Sequence, residues 1–332
     1  MKDMPIEPLP VKRAHQLQLR AEEERWLIES LWTSEAVGVL GGQPKCCKTF
    51  LALDIAVSVA SGAPCLGQFS VRSPGPVLMF PAEDALEDVR CRLEGICAAA
   101  GKRLEDIPIH VITVPRLYLD QDRQRRQLAA TVESLHPRLL ILDPFIRLHS
   151  VDENHACEIA PILSFLRDLQ RRFHMAVLLI HHTRKAARKD RPGQALRGSS
   201  DLHGWGDSNL YLHRSDNHIQ LSVEHRAAAS HNGLSLQLHE NGSAAALRLC
   251  DETPPPPSSE RQSPHQRILH ALSQASDPLP MSELRSLCSM RTSTLCSLLR
   301  DLTQQNRVRR SEHGLYSLPK ASSTSVSLSL PL

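Results

Sequence analysis

Wholly apolar runs recur through the first half of the chain, at residues 36–40, 77–80, 139–142 and 176–180, with a less apolar run at 109–114. Between them, at 49–61, 86–100, 122–135 and 156–173, apolar residues return every three or four positions. A run that is apolar at every position is a strand buried on both faces. Helical spacing between such strands supplies the layers that cover them. The pattern therefore predicts an α/β fold with a mainly parallel sheet. Gly62-Ala63-Pro64 and Gly101 stop the first two helices. Residues 209–213 return to strand. Residues 218–225, 234–238 and 246–249 then alternate with period two, and Asn232-Gly233 and Asn241-Gly242 are expected to turn hairpins. This is an antiparallel extension of the sheet.

The same pattern divides the chain. Residues 1–24 are a polar, proline-bearing arm, and 25–250 form the α/β domain. Residues 251–263 are a linker stiffened by four consecutive prolines. Residues 264–319 read as helices at 265–275, 281–288 and 291–305 followed by a two-stranded wing at 307–318, the order of a winged helix-turn-helix. The serine-rich residues 320–332 are expected to be a disordered tail.

Composition narrows the classes. Hydrophobic residues make up 41% and charged residues 23% of 332, the balance of a globular protein. Aromatics are only 4%, so the core rests on Leu, Ile, Val and Ala. The nine cysteines include no CxxC pair and are odd in number, which argues against a zinc cluster or a disulfide framework and for reduced thiols. No apolar run reaches the length of a membrane span, and the acids and prolines at the start are no secretory leader. The expectation is a cytoplasmic protein without a membrane partner. A net charge of +3 is too small to decide on nucleic acid; the location of the charge matters more.

The chemistry concentrates after the first buried run. Gly41-Gly42-Gln43-Pro44-Lys45-Cys46-Cys47-Lys48-Thr49, leading into Phe50, is a glycine-bearing turn between strand and helix. Such a turn offers backbone N–H groups and a helix N-terminus to phosphate. It fits the phosphate-loop pattern except that Cys47 replaces the second glycine. Gly42 to Phe50 are the candidate nucleotide-binding residues, for ATP. A left-handed backbone at Cys47 would cost roughly 1–2 kcal/mol, and a thiol there suggests sensitivity to oxidation. The other buried runs also end on polar groups, Glu83, Asp143 and His181, where ligands of parallel sheets bind. Lys48 suits the outer phosphates, Thr49 and Asp143 suit Mg2+, and Glu83 suits activation of water. Asp84 is the alternative base and a further candidate metal ligand. Arg184, Lys185, Arg188, Lys189 and Arg197 make residues 183–200 a basic stretch, and Arg291, Arg309 and Arg310 mark the C-terminal module. These are the candidate nucleic-acid contacts.

Residues 36 to about 226 resemble the RecA-like ATPases of the RepA type, the hexameric replicative helicases of plasmids and mobile elements. The resemblance is carried by Gly42 to Thr49, Phe80-Pro81-Ala82-Glu83-Asp84, Leu142-Asp143-Pro144-Phe145, His181-His182-Thr183-Arg184-Lys185 and Leu196-Arg197-Gly198-Ser199-Ser200-Asp201. It implies a RecA-like P-loop NTPase core, a catalytic Glu83, a γ-phosphate sensor at His181-His182 and a DNA-facing loop around 184–200. It also implies an arginine acting on the neighbouring subunit's nucleotide. Arg214, closing a strand, is the expected one, with Arg197 as the other candidate. The expected activity is an ATP-driven DNA helicase ring. A recombination mediator or loader with the same site, and a nucleotide-binding DNA regulator with little turnover, remain open.

Overall fold

The computed structural model describes residues 9–17, 21–153, 155–182, 200–215, 218–241, 244–250, 264–275, 277–288, 290, 292–311 and 314–319. Two compact units, Met1–Asp251 and Glu252–Leu332, divide the chain.

In the first unit a small hairpin, β1 (Trp26–Ile28) and β2 (Trp32–Thr33), precedes the main sheet. The sheet is then built in order from β3 (Val37–Gly42), α1 (Lys48–Ser61), β4 (Val77–Pro81), α2 (Leu86–Ala99), β5 (Ile109–Val111), α3 (Asp122–Leu135), β6 (Leu139–Asp143), α4 (Ala156–Phe173) and β7 (Ala176–His182). A short α5 (Ser200–Trp205) leads to β8 (Ser208–Ser215), β9 (His218–His225), β10 (His231–Asn241) and β11 (Ala244–Leu249). The nine strands lie in the order β11-β10-β9-β8-β3-β7-β6-β4-β5. Pairing is parallel from β8 to β5 and antiparallel from β8 to β11. The expected α/β architecture with a mainly parallel sheet and an antiparallel extension is therefore the observed one.

Alternation along each strand separates two cores. Leu40, Met79, Ile141, Leu178 and Ile180 pack with Leu51 and Ile55 of α1 on one face. Val39, Phe80, Leu142, Val177 and Leu179 pack with Ile162 and Leu166 of α4 on the other. Each such side chain, when fully buried, contributes roughly 1.5–3 kcal/mol of burial free energy. This is why the central strands carry no polar residue before their C-terminal ends.

Three local expectations are corrected. The strand expected over 109–114 ends at Val111, because β5 is the sheet's edge and pairs with β4 alone. Asn232-Gly233 is not a hairpin turn: it lies within β10, where the register against β9 shifts and Gly233 has φ 81°. That hairpin turns instead through residues 226–230. In the second unit the expected two-stranded wing gains a third strand, Leu279 and Pro280, from between the first two helices.

That unit comprises α6 (Pro264–Gln274), β12 (Leu279–Pro280), α7 (Met281–Cys288), α8 (Thr292–Gln304), β13 (Arg309–Arg310) and β14 (Leu315–Ser317). The sheet order is β12-β14-β13. Ile268, Leu284, Leu295, Leu299, Leu302, Val308 and Tyr316 form its own core. Cys288 is buried there, and Cys296 Sγ lies 3.8 Å from Met281 Sδ, so both are packing residues. No helix among the described residues is long and apolar enough to cross a membrane.

Candidate functional site

The C-terminal ends of β3, β4, β6 and β7 lie side by side, and the polar residues that follow them share that end of the sheet. Gly42 closes β3 at a close approach. A Cβ on it would lie 2.6 Å from Cys46 Sγ and 2.7 Å from Leu212 O, so only glycine fits. The chain then turns through Lys45 at φ 64° and Cys47 at φ 69°. Cys47 is the N-cap of α1, in the left-handed region. The missing glycine is therefore missing at a position whose backbone asks for one. Cys46 is buried, and burial pushes its thiol and that of Cys47 above their ordinary pKa, against the pull of Lys48 on both and of Arg214 on Cys47. Both shifts run opposite to the lowering that favours a thiolate.

Lys48 is 6% exposed, and its Nζ donates to Gln43 O at 2.8 Å, spanning the loop. Burial lowers its pKa, against the pull of Cys46, Asp143 and Glu83. Thr49 Oγ1 donates to Asp143 Oδ2 at 3.0 Å. Burial raises the Asp143 pKa; Thr49 and Lys48 lower it, Asp84 and Glu83 raise it further, and the result is about 6. A half-buried carboxyl pressed by two like charges beside a threonine hydroxyl and a helix N-terminus fits a divalent cation held together with phosphate. Among the described residues, no group of three or more His, Cys, Asp or Glu side chains is arranged to hold a metal alone.

The two acids after β4 have separate partners. Glu83 Oε1 accepts from Arg147 Nε at 2.8 Å, and both side chains are largely exposed. Asp84 Oδ2 accepts from Arg92 Nη1 at 2.5 Å, and the Arg92 guanidinium also lies over the Phe50 ring at 5.5 Å. Asp84 is thus tied to α2, and Phe50 supports that tie. Arg147 and Arg92 were missed in the sequence, where neither belongs to a motif.

His181 and His182 separate. His181 follows Leu179 onto the α4 face, 3% exposed, with Nε2 3.3 Å from Glu153 Oε1. His182 follows Ile180 onto the α1 face, opposite Gly42 in the β3–β7 register. Only His182 shares the face of Lys48, Thr49 and Asp143. Arg214, near the end of β8, donates through Nη1 to Lys45 O of its own chain at 3.4 Å. It therefore borders its own loop.

Arg184, Lys185, Arg188, Lys189, Arg197 and Arg291 lie outside the described residues. Arg309 and Arg310 are exposed on β13, and Arg310 also lies over the Tyr316 ring at 5.8 Å. A groove of about 730 Å³ lined in part by Arg267, His270, Glu283 and Leu287 belongs to the second unit and contains none of the groups above.

Residues 4–188 match the family described as AAA domain, and the chain belongs to that family. Among solved structures the chain is similar to an isolated ATPase domain, with 15% identity, a TM-score of 0.52, and coverage of 65% of this chain and 86% of that one. It is also similar to a DnaB-like replicative helicase studied for its interactions with primase, with 16% identity and a TM-score of 0.50. That match covers 64% of this chain and 57% of the helicase chain, so this chain spans little more than half its length. At such identities the likeness is one of fold: the first unit has a RecA-like α/β fold.

Proposed function

We propose that the protein is a magnesium-dependent ATPase that works on DNA, in a ring of the RepA replicative-helicase type serving a plasmid, phage or integrated element. The Thr49–Asp143 hydrogen bond beside buried Lys48, at the N-terminus of α1, carries the reading. The loop N–H groups and the helix end face an anion. Lys48 exchanges Gln43 O for the outer phosphates of ATP. Thr49 and Asp143 would hold Mg2+, which would supply charge compensation to the phosphates. Glu83 accepts the proton of the attacking water once Arg147 yields it. His182 contacts the γ-phosphate region from β7.

Arg214 is the proposed trans arginine, which requires it to leave Lys45 O for a neighbouring protomer's nucleotide. The basic residues from Arg184 to Arg197 track the phosphate backbone of single-stranded DNA in the channel of a hexamer. The second unit, read as a winged helix-turn-helix, sets Arg309 and Arg310 on duplex phosphates. The two structural neighbours, an ATPase domain and a replicative helicase by their names, support the same direction.

One observation favours a second reading. Cys47 in the left-handed region weakens the loop, as expected of a nucleotide-binding regulator with little turnover. Steady-state ATP hydrolysis with and without single-stranded DNA separates the two, and strand displacement then separates a helicase from a mediator or loader. Failure of Lys48→Ala to lower turnover refutes the site.

A further inference from the structure

Behind β7, on the face away from the phosphate loop, three titratable side chains meet that the proposed chemistry does not use. Glu153 comes from the segment between β6 and α4, with a side chain 10% exposed. His181 Nε2 lies 3.3 Å from its Oε1 and His149 Nε2 3.5 Å from the same oxygen. The His149 side chain is 1% exposed. A carboxylate oxygen only accepts, so His181 donates through Nε2–H, and its Nδ1 is left as the bare nitrogen. That Nδ1 is buried and has no hydrogen-bond partner among the described residues. His149 is fixed differently: its Nδ1 donates to Val151 O at 3.2 Å, its Nε2 makes no hydrogen bond among the described residues, and its ring meets Phe145 edge-on at 4.7 Å. Phe145 also borders His181, with ring centroids 6.1 Å apart.

We infer that Glu153 is a positioning residue: from the α4 face it fixes the ring and tautomer of His181 and so anchors the C-terminal end of β7, where the next residue, His182, faces the phosphate loop. The inference rests on the ATPase reading and extends it to a side chain outside the loop and strand-end motifs. The arrangement is that of a carboxylate orienting an imidazole. Burial works against an ionised Glu153, yet the two imidazoles outweigh burial and hold its pKa down at about 2. The carboxylate is thus present as an acceptor throughout the range in which an enzyme works. Segment 144–153 joins the other site groups as well. It starts beside Asp143 and carries Arg147, the partner of Glu83. One connection therefore touches the metal-side acid, the proposed base and, through Glu153, the end of β7.

The test compares Glu153→Gln, His181→Asn, the double variant and His182→Asn in the full chain, with Lys48→Ala as reference. The expected result is a fall of about 10- to 100-fold in kcat for Glu153→Gln, with KM for ATP little changed. The double variant is expected to be no slower than the worse single variant, since both residues act through one contact. Long-range 1H–15N spectra of the histidines give a readout apart from activity: the Nε2–H tautomer of His181 is expected in the parent and lost in Glu153→Leu, which, unlike Glu153→Gln, offers no acceptor. If Glu153→Gln fails to fold, the double variant, which removes both ends of the contact, carries the kinetic comparison. An unchanged His181 tautomer, or an unchanged kcat per nucleotide-binding site with only a lowered Tm, overturns the positioning role. An unaffected Lys48→Ala instead overturns the ATPase reading.

Discussion

Thr49 and Asp143 are hydrogen-bonded across 3.0 Å, Oγ1 to Oδ2, joining the first turn of α1 to the end of β6. The contact places a half-buried carboxyl under the like charges of Asp84 and Glu83. In the folded chain Asp143 keeps its proton up to about pH 6, whereas its ordinary value is 3.8. Between those values the native state binds more protons than the unfolded state. Stability therefore falls as pH rises, by on the order of 2–3 kcal/mol, and the loss persists above the upper value. Asp143→Asn is expected to raise the nucleotide-free Tm by about 5 °C near neutral pH. It is also expected to lower magnesium-dependent turnover by about 100-fold or more. Thermal melts over a pH series check the first part, and an unchanged melting curve near neutral pH counts against it.

Cys47 is the one departure from the phosphate-loop pattern, and its φ of 69° makes it a strained one. Cys47→Gly is expected to relieve about 1 kcal/mol. Both Tm and nucleotide affinity should rise. Calorimetric titration with a non-hydrolysed ATP analogue measures the second; weaker binding by the glycine variant would show that the thiol assists the loop.

Gly42 is constrained by space rather than by φ. In Gly42→Ala the new methyl meets Cys46 Sγ and Leu212 O, one of them backbone. A loss of about 1–3 kcal/mol is expected, since the neighbouring strand cannot retreat freely. Cys46→Ala clears the side-chain contact only, so the double variant is expected to regain part of the loss in denaturant melts.

Arg214 rests on its own loop at Lys45 O, while its proposed work lies on a neighbour's nucleotide. Mixing Lys48→Ala with Arg214→Ala protein decides between the two. If Arg214 acts in trans, mixed rings contain sites with both groups intact, and ATPase activity exceeds that of either variant alone. If it acts only on its own loop, mixing restores nothing.

The exposed pair Arg309 and Arg310 on β13 makes a prediction about salt. If both meet duplex phosphates, replacing them with alanine is expected to weaken DNA binding for all sequences alike and to flatten the log K against log salt slope by about 2. An unchanged slope assigns that strand another role.

Much of this was legible in the chain itself. The runs around Leu40, Phe80, Leu142 and Ile180 are apolar at every position because both faces of the sheet are covered, and their ends are marked by the first polar residue that follows. Contacts between distant residues were not legible. Arg147 reaches Glu83 across 64 positions, and Arg92 joins Asp84 to Phe50, yet neither arginine differs in pattern from a solvated one on a surface. The two strand residues Leu279 and Pro280 were hidden because a strand that short has no period to read. His181-His182 looked like one motif because adjacency in sequence conceals that neighbours on a strand face opposite ways.

That opposition limits how the chain can vary. Between the end of α4 at Phe173 and the start of β7 at Ala176 stand only His174, in a left-handed turn at φ 52°, and Met175. If adding or deleting one residue there shifted the register of β7 by one, every β7 side chain would pass to the opposite face. The imidazole now held by Glu153 would turn toward the phosphate loop, and its neighbour would turn into the α4 core. The length of this connection should therefore be as unforgiving as the identity of the histidines, although nothing in it touches the site.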